Sequence, residues 1–148
     1  MKNLSNMFVI LITTIALFGC AQNQVDIRPK IIDSHILIEN TNLNKWLELE
    51  KVNYFKRKDG LLVVEAKFKN TNSSNKNVAY KIDWIDKNGL TQKSILSRWI
   101  VSEVESNRSF IINGISPSIT VSDFEIRLQE PTRDDKNRKN SYHSEYQN

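Results

Sequence analysis

The stretch Val78-Ala79-Tyr80-Lys81-Ile82-Asp83-Trp84-Ile85 decides how the chain reads. In an extended backbone successive side chains point to opposite faces, so Val78, Tyr80, Ile82 and Trp84 share one side and Ala79, Lys81, Asp83 and Ile85 the other. The first side is apolar and aromatic. The segment therefore predicts a strand with that face on a core and its other face toward water. Asp86-Lys87-Asn88-Gly89 follows, ending in the Asn-Gly pair that favours a tight hairpin.

The same period of two recurs on either side. Leu62, Val64, Ala66 and Phe68 alternate with Val63, Glu65, Lys67 and Lys69, and Phe124, Ile126 and Leu128 alternate with Asp123, Glu125, Arg127 and Gln129. Lys58-Asp59-Gly60 precedes the first of these strands and the polar run Asn70-Thr71-Asn72-Ser73-Ser74-Asn75 follows it, both turn-forming. Further strands are read at Ile31–Glu39, Leu47–Lys56, Trp99–Val104 and Ser109–Asn113, with a short helix at Thr41–Trp46. About seven short strands at this spacing, with no sustained helical period, predict an all-β antiparallel sandwich over residues 31–130.

The N-terminus carries a different signal. After Lys2 comes the apolar run Met7 to Phe18, closing on Gly19 and Cys20 and followed at once by polar Ala21, Gln22, Asn23 and Gln24. A bilayer-spanning helix needs roughly 20 apolar residues, so this shorter run reads as the hydrophobic region of an export signal, residues 1–19. Leu17-Phe18-Gly19-Cys20 resembles the bacterial lipobox, in which the Cys is acylated before cleavage on its N-terminal side; Phe18 is bulkier than the usual occupant. Two or more acyl chains anchor stably where one binds only marginally. Residues 20–30 then read as a lipidated tether. By resemblance to Gram-negative lipoprotein sorting, Ala21 after the Cys, rather than Asp, implies delivery to the outer membrane, facing the periplasm.

Composition agrees with one packed domain: 26% of the 148 residues are charged and 39% hydrophobic. Once Lys2 leaves with the signal, 20 Lys and Arg face 17 Asp and Glu, a net charge of +3 that gives no argument for nucleic acid. Cys20 is the only cysteine, which excludes a disulfide, a zinc cluster or a thiol nucleophile inside the domain. Residues 131–148 start at Pro131, hold hardly any aliphatic side chain, and read as a disordered tail.

Chemistry-bearing residues are few. His35 and His143 are the two histidines, and His143 falls in the tail, so an envelope enzyme would have to turn on His35; the competing reading is a strand-surface histidine. Asp83, Asp86 and Asn88 beside Gly89 have a spacing reminiscent of calcium-loop oxygens, but the remaining acids and the distal Glu are missing, which favours a hairpin. No metal site, catalytic residue or cofactor is read. Trp84 belongs to the core face, whereas Arg98 and Trp99 are the candidates for an exposed binding surface. Asn107, in Glu105-Ser106-Asn107-Arg108-Ser109, matches the acidic-extended glycosylation acceptor used by some bacteria.

Trp84-Ile85-Asp86-Lys87-Asn88-Gly89-Leu90 resembles the aromatic-x-Asp-x-x-Gly-Leu hairpin of the YcfL-type periplasmic lipoproteins. The stretch Ser109 to Pro117, followed by Phe124 to Leu128, is similar to that family's last two strands, so the resemblance covers roughly residues 60–130. It implies a small immunoglobulin-like sandwich on a lipid anchor, in a family without established catalytic residues. The function expected is a non-enzymatic binding or accessory module of the cell envelope, held to membrane lipid through acylated Cys20 and meeting an envelope protein or a cell-wall partner. The alternative is a structural subunit that tethers an envelope complex. Replacing Cys20 with Ala is expected to move the chain from the membrane to the soluble fraction; unchanged fractionation would refute the anchor.

Overall fold

The computed structural model describes residues 30–135. The expected signal, Cys20, the expected tether up to residue 29 and residues 136–148 lie outside the described residues. The first five residues of the tail expected to be disordered, 131–135, are ordered against the domain instead, because the Asp135 carboxylate is buried and accepts from the Thr132 N–H and Oγ1 at 3.0 and 2.6 Å. Nine strands are described: β1 (Lys30–Asp33), β2 (Ile36–Ile38), β3 (Leu47–Lys56), β4 (Leu62–Asn70), β5 (Lys76–Asp86), β6 (Thr91–Gln92), β7 (Ile100–Val104), β8 (Ser109–Ile115) and β9 (Val121–Gln129). Short 3-10 turns occupy Thr41–Lys45 and Ile95–Ser97. Among the described residues no helix is long and apolar enough to cross a membrane.

The strands form two sheets. One has the order β1-β2-β9-β5-β6, with β7 also paired to β5; the other has the order β3-β4-β8. The trio β3-β4-β8 beside β7-β5-β9 gives the arrangement of an immunoglobulin-like sandwich, with β2 where that fold places its last strand. One pairing departs from the antiparallel expectation, since β2 runs parallel to β9, with Ile36 opposite Ile126 and Ile38 opposite Leu128. Parallel neighbours need a long connection, and most of the chain lies between these two strands.

The stretch read as one strand over 31–39 is a hairpin, because the Asp33 carboxylate accepts a hydrogen bond from the His35 backbone N–H at 3.0 Å and turns the chain back. At two residues, β6 is too short to show a period. The short helix expected at Thr41–Trp46 is a 3-10 turn whose first N–H groups are capped by the Asn40 side chain.

The alternating faces close on each other. Leu62, Val64, Ala66 and Phe68 of β4, Val78, Ile82 and Trp84 of β5, and Phe124, Ile126 and Leu128 of β9 are all buried in one cluster. Tyr80 is only half-buried and packs edge-on against Phe110, ring centroids 5.7 Å apart. That burial pushes its phenol pKa up.

Two contacts between the sheets fix their fit. Gly114 of β8 faces the Trp84 indole: a Cβ there would lie 2.8 Å from the terminal methyls of Ile82 and Leu96 and 3.2 Å from Trp84 Cζ2. The Trp84 indole N–H donates to Ser94 Oγ at 3.1 Å, and Ser94 caps the second 3-10 turn. At the opposite end Asn70, fully buried, donates from Nδ2 to the carbonyls of Ser74, Val104 and Glu105 at 3.0, 3.1 and 3.1 Å. Its Oδ1 accepts from the Asn72 N–H at 2.9 Å. Asn70 thus joins β4 of one sheet to the end of β7 in the other.

Replacing Asn70 with Leu strands those carbonyls without donors, at a cost of about 2–3 kcal/mol, and is expected to lower the thermal midpoint by roughly 10 °C. Gly114→Val overpacks the Trp84 contact and is expected to cost about 1–3 kcal/mol. Thermal unfolding of either variant with the wild-type midpoint would show that these contacts do not hold the sheets.

Candidate functional site

The ends of β3, β5 and β8, the starts of β4 and β9, and the β1–β2 turn converge at one pole of the sandwich, as the registers require. The loops there touch. A Cβ built on Gly60, in the β3–β4 turn, would lie 3.3 Å from Ile119 of the β8–β9 loop. Gln92 of β6 donates to Thr120 Oγ1 at 2.7 Å. Gly60 and Gly89 both take positive φ, 84° and 80°, which is what the Asp-Gly and Asn-Gly turns need.

This pole gathers exposed large apolar side chains: Tyr54, Phe55, Leu90 and Ile119 are 54%, 59%, 65% and 64% exposed. Phe55 continues across the outer sheet face to Val63 and Ile115, which stand opposite one another in register. Cations ring the patch at Lys56, Arg57, Lys58 and Lys87, with Arg57 paired to Asp59 at 2.8 Å.

His35 sits in the same pole, its side chain 17% exposed. Its ring stacks on Phe124, centroids 4.5 Å apart and planes at 12°, with Tyr54 tilted against it at 4.9 Å. Nδ1 lies 3.3 Å from Asp33 Oδ1 and 2.9 Å from Ser34 Oγ, and Nε2 lies 3.3 Å from Asp123 Oδ1. Serine, histidine and aspartate therefore meet, but both ring nitrogens face carboxylates and one ring face is covered by Phe124. This arrangement holds the imidazole in place and ties the β1–β2 turn to β9. Sequence reading singled out His35 but not Asp123 or Tyr54, which lie far along the chain.

The other sequence candidates lie elsewhere. Arg98 is exposed and Trp99 half-buried on the outer face of the larger sheet, where Lys81 Nζ stands 5.4 Å from the Trp99 ring and 2.9 Å from Asp83. Arg127 joins this charged face, 2.8 Å from Glu39 and 4.0 Å from Asp83. Such pairs contribute modestly. Asp86 turns away from Asp83 and closes its own hairpin, accepting from the N–H groups of Asn88 and Leu90 at 2.8 and 3.0 Å. Among the described residues no group of three His, Cys, Asp or Glu is placed to hold a metal ion. Asn107 tops an exposed turn with φ of 56° and donates to Ser106 Oγ at 3.1 Å. Beside it a groove of about 360 Å³ is lined by Glu103, Val104, Glu105, Arg108, Ser109 and Phe110.

An all-β two-sheet sandwich with an apolar pole is the class of protein that these features define. Residues 34–130 match the model of a family described as a protein of unknown function, DUF1425, and the chain belongs to that family. Among solved structures it is similar to the Campylobacter jejuni protein cj0090, with 19% identity, a TM-score of 0.56, and coverage of 67% of this chain and 100% of that one. It is also similar to a DUF1425 family member from Shewanella sp. pv-4, with 19% identity, a TM-score of 0.52, and coverage of 58% of this chain and 79% of that one. These likenesses establish the fold. No curated protein matches the chain.

A double-mutant cycle on His35→Ala and Tyr54→Ala should give a coupling of about 0.5–1.5 kcal/mol in folding stability, as expected for packed aromatic rings. Strict additivity would mean that the ring contact contributes nothing.

Proposed function

We propose that the chain is a non-enzymatic accessory module of the bacterial envelope, a lipoprotein of the YcfL type, that holds a protein partner against its apolar pole. The observation that carries this reading is the placement of the exposed apolar side chains. Lys30, where the tether joins the domain, stands opposite Ile38, which pairs with Leu128 next to the end of β9. Tyr54, Phe55, Leu90 and Ile119 lie at the other end, where β9 begins. A nine-residue strand rising about 3.4 Å per residue separates the two ends. An anchor through acylated Cys20 would therefore leave the pole uncovered. A scattered exposed apolar residue needs no explanation, whereas four gathered at one end of the sandwich among basic side chains fit an interaction surface.

Crosslinking in the intact envelope, followed by partner identification, tests this. Phe55→Ser combined with Leu90→Ser and Ile119→Ser is expected to lower recovery of the crosslinked partner at least ten-fold with the thermal midpoint little changed, because all three side chains are largely solvated. Equal recovery from the triple variant and the wild type would overturn the assignment of the pole.

A further inference from the structure

β8 is an edge strand unlike the other edges. β3 carries Glu48, Glu50, Lys51 and Lys56 and a register break between Leu49 and Lys51. β1 is four residues long and irregular, and β7 is five residues long and carries Glu103. Charge, brevity and irregularity are the usual protections of a strand edge. β8, Ser109-Phe110-Ile111-Ile112-Asn113-Gly114-Ile115, has seven residues with no charge and no proline, and β4 is its described partner.

Its free side can be read from the ladder. Asn70 N–H donates to the Arg108 carbonyl at one end, and Ser116 N–H to the Leu62 carbonyl at the other. Hydrogen-bonded pairs recur every two residues in an antiparallel ladder, so Phe110, Ile112 and Gly114 turn their N–H and C=O groups to β4. Ile111, Asn113 and Ile115 turn theirs to the open edge. The side chains of Ile111 and Ile115 are each 48% exposed on the outer face.

We propose that this edge is occupied by a second copy of the chain, β8 pairing antiparallel with β8 about a two-fold axis at Asn113. In that register Ile111 faces Ile115 of the second copy, Asn113 faces its own counterpart, and every outward N–H and C=O of the three residues finds a partner. An axis at Ile112 sets Ile111 against Asn113 and Ile115 against Ser109, and one at Ile111 leaves Ile115 unpaired. The axis at Asn113 also continues the row of Phe55, Val63 and Ile115, opposed in register, into Ile111 of the second copy. The product is one continuous sheet, β3-β4-β8-β8-β4-β3, through an isologous interface. The two Lys30 residues then emerge at opposite ends. Residues 20–29, reaching about 3.3 Å per residue when extended, let both copies anchor in one leaflet with the strands along the membrane and both poles uncovered.

The test uses the full chain in intact bacterial envelopes. With a short bismaleimide, Asn113→Cys is expected to give a crosslinked homodimer, because facing Cα atoms in such a pair lie about 5.5 Å apart. Ile111→Cys alone is expected to crosslink at least ten-fold less, and co-expressed Ile111→Cys and Ile115→Cys chains to crosslink well. The wild type controls for Cys20. Ile111→Glu, placed opposite Lys67 of its own chain, keeps the fold and is expected to sediment as a monomer in detergent where the wild type sediments as a dimer. A monomeric wild type, equal crosslinking from Ile111→Cys and Asn113→Cys, or capture of a different protein by Asn113→Cys would each overturn the proposal.

Discussion

The two sheets can lie together because Gly114 leaves room for the Trp84 indole. Trp84 stands near the end of β5 in the larger sheet, and any side chain on β8 at this level would meet it and the methyls of Ile82 and Leu96. Interiors pack to the density of organic crystals, so a missing Cβ on one face and a large ring on the other are complementary parts of one contact. From that contact follow the depth of the core, the seating of the second 3-10 turn through Ser94, and the exposure of the β8 edge on the far side of the glycine. The strand-order position of Trp84 is also where immunoglobulin-like domains keep a buried tryptophan.

At the other end the sheets are joined by polar groups. The buried Asn70 carboxamide donates to three carbonyls, of Ser74, Val104 and Glu105, and accepts from a fourth backbone group, the Asn72 N–H. Around it Asn75 donates to Glu103 and accepts from the Ser106 N–H, and Asn72 accepts from Ser74. A run that composition marks as a solvated turn thus forms a hydrogen-bonded network around Asn70, the one buried polar side chain in it, whose groups are satisfied as burial demands. The fold has an apolar contact near one end and a hydrogen-bonded clasp at the other.

This division leaves different surfaces free. Lys30, the first described residue, lies at the clasped end, while the opposite pole exposes Tyr54, Phe55, Leu90 and Ile119 around a fixed His35. The β8 edge offers backbone groups, and the outer face of the larger sheet offers paired charges. The apolar pole and the bare edge are the two whose exposure costs solubility, and that cost is the physical ground for reading them as contact surfaces.

The amino-acid sequence by itself determined which side chains face inward. The period of two at Leu62–Phe68, Val78–Trp84 and Phe124–Leu128 is a property of neighbouring residues, and the buried positions follow it with two exceptions in one strand: Tyr80 is half-exposed, and Ala79, on the face expected to meet water, is fully buried. The Asp-Gly and Asn-Gly turns were legible for the same local reason. Only the tertiary structure decided which strands pair. The parallel match of β2 with β9, the meeting of His35 with Asp123 and Tyr54, the fit of Gly114 to Trp84 and the gathering of four loops at one pole all join residues far apart in sequence. Alternation specifies a face but not a neighbour, and a neighbour is settled only when shape and hydrogen bonding are satisfied across the whole sandwich at once.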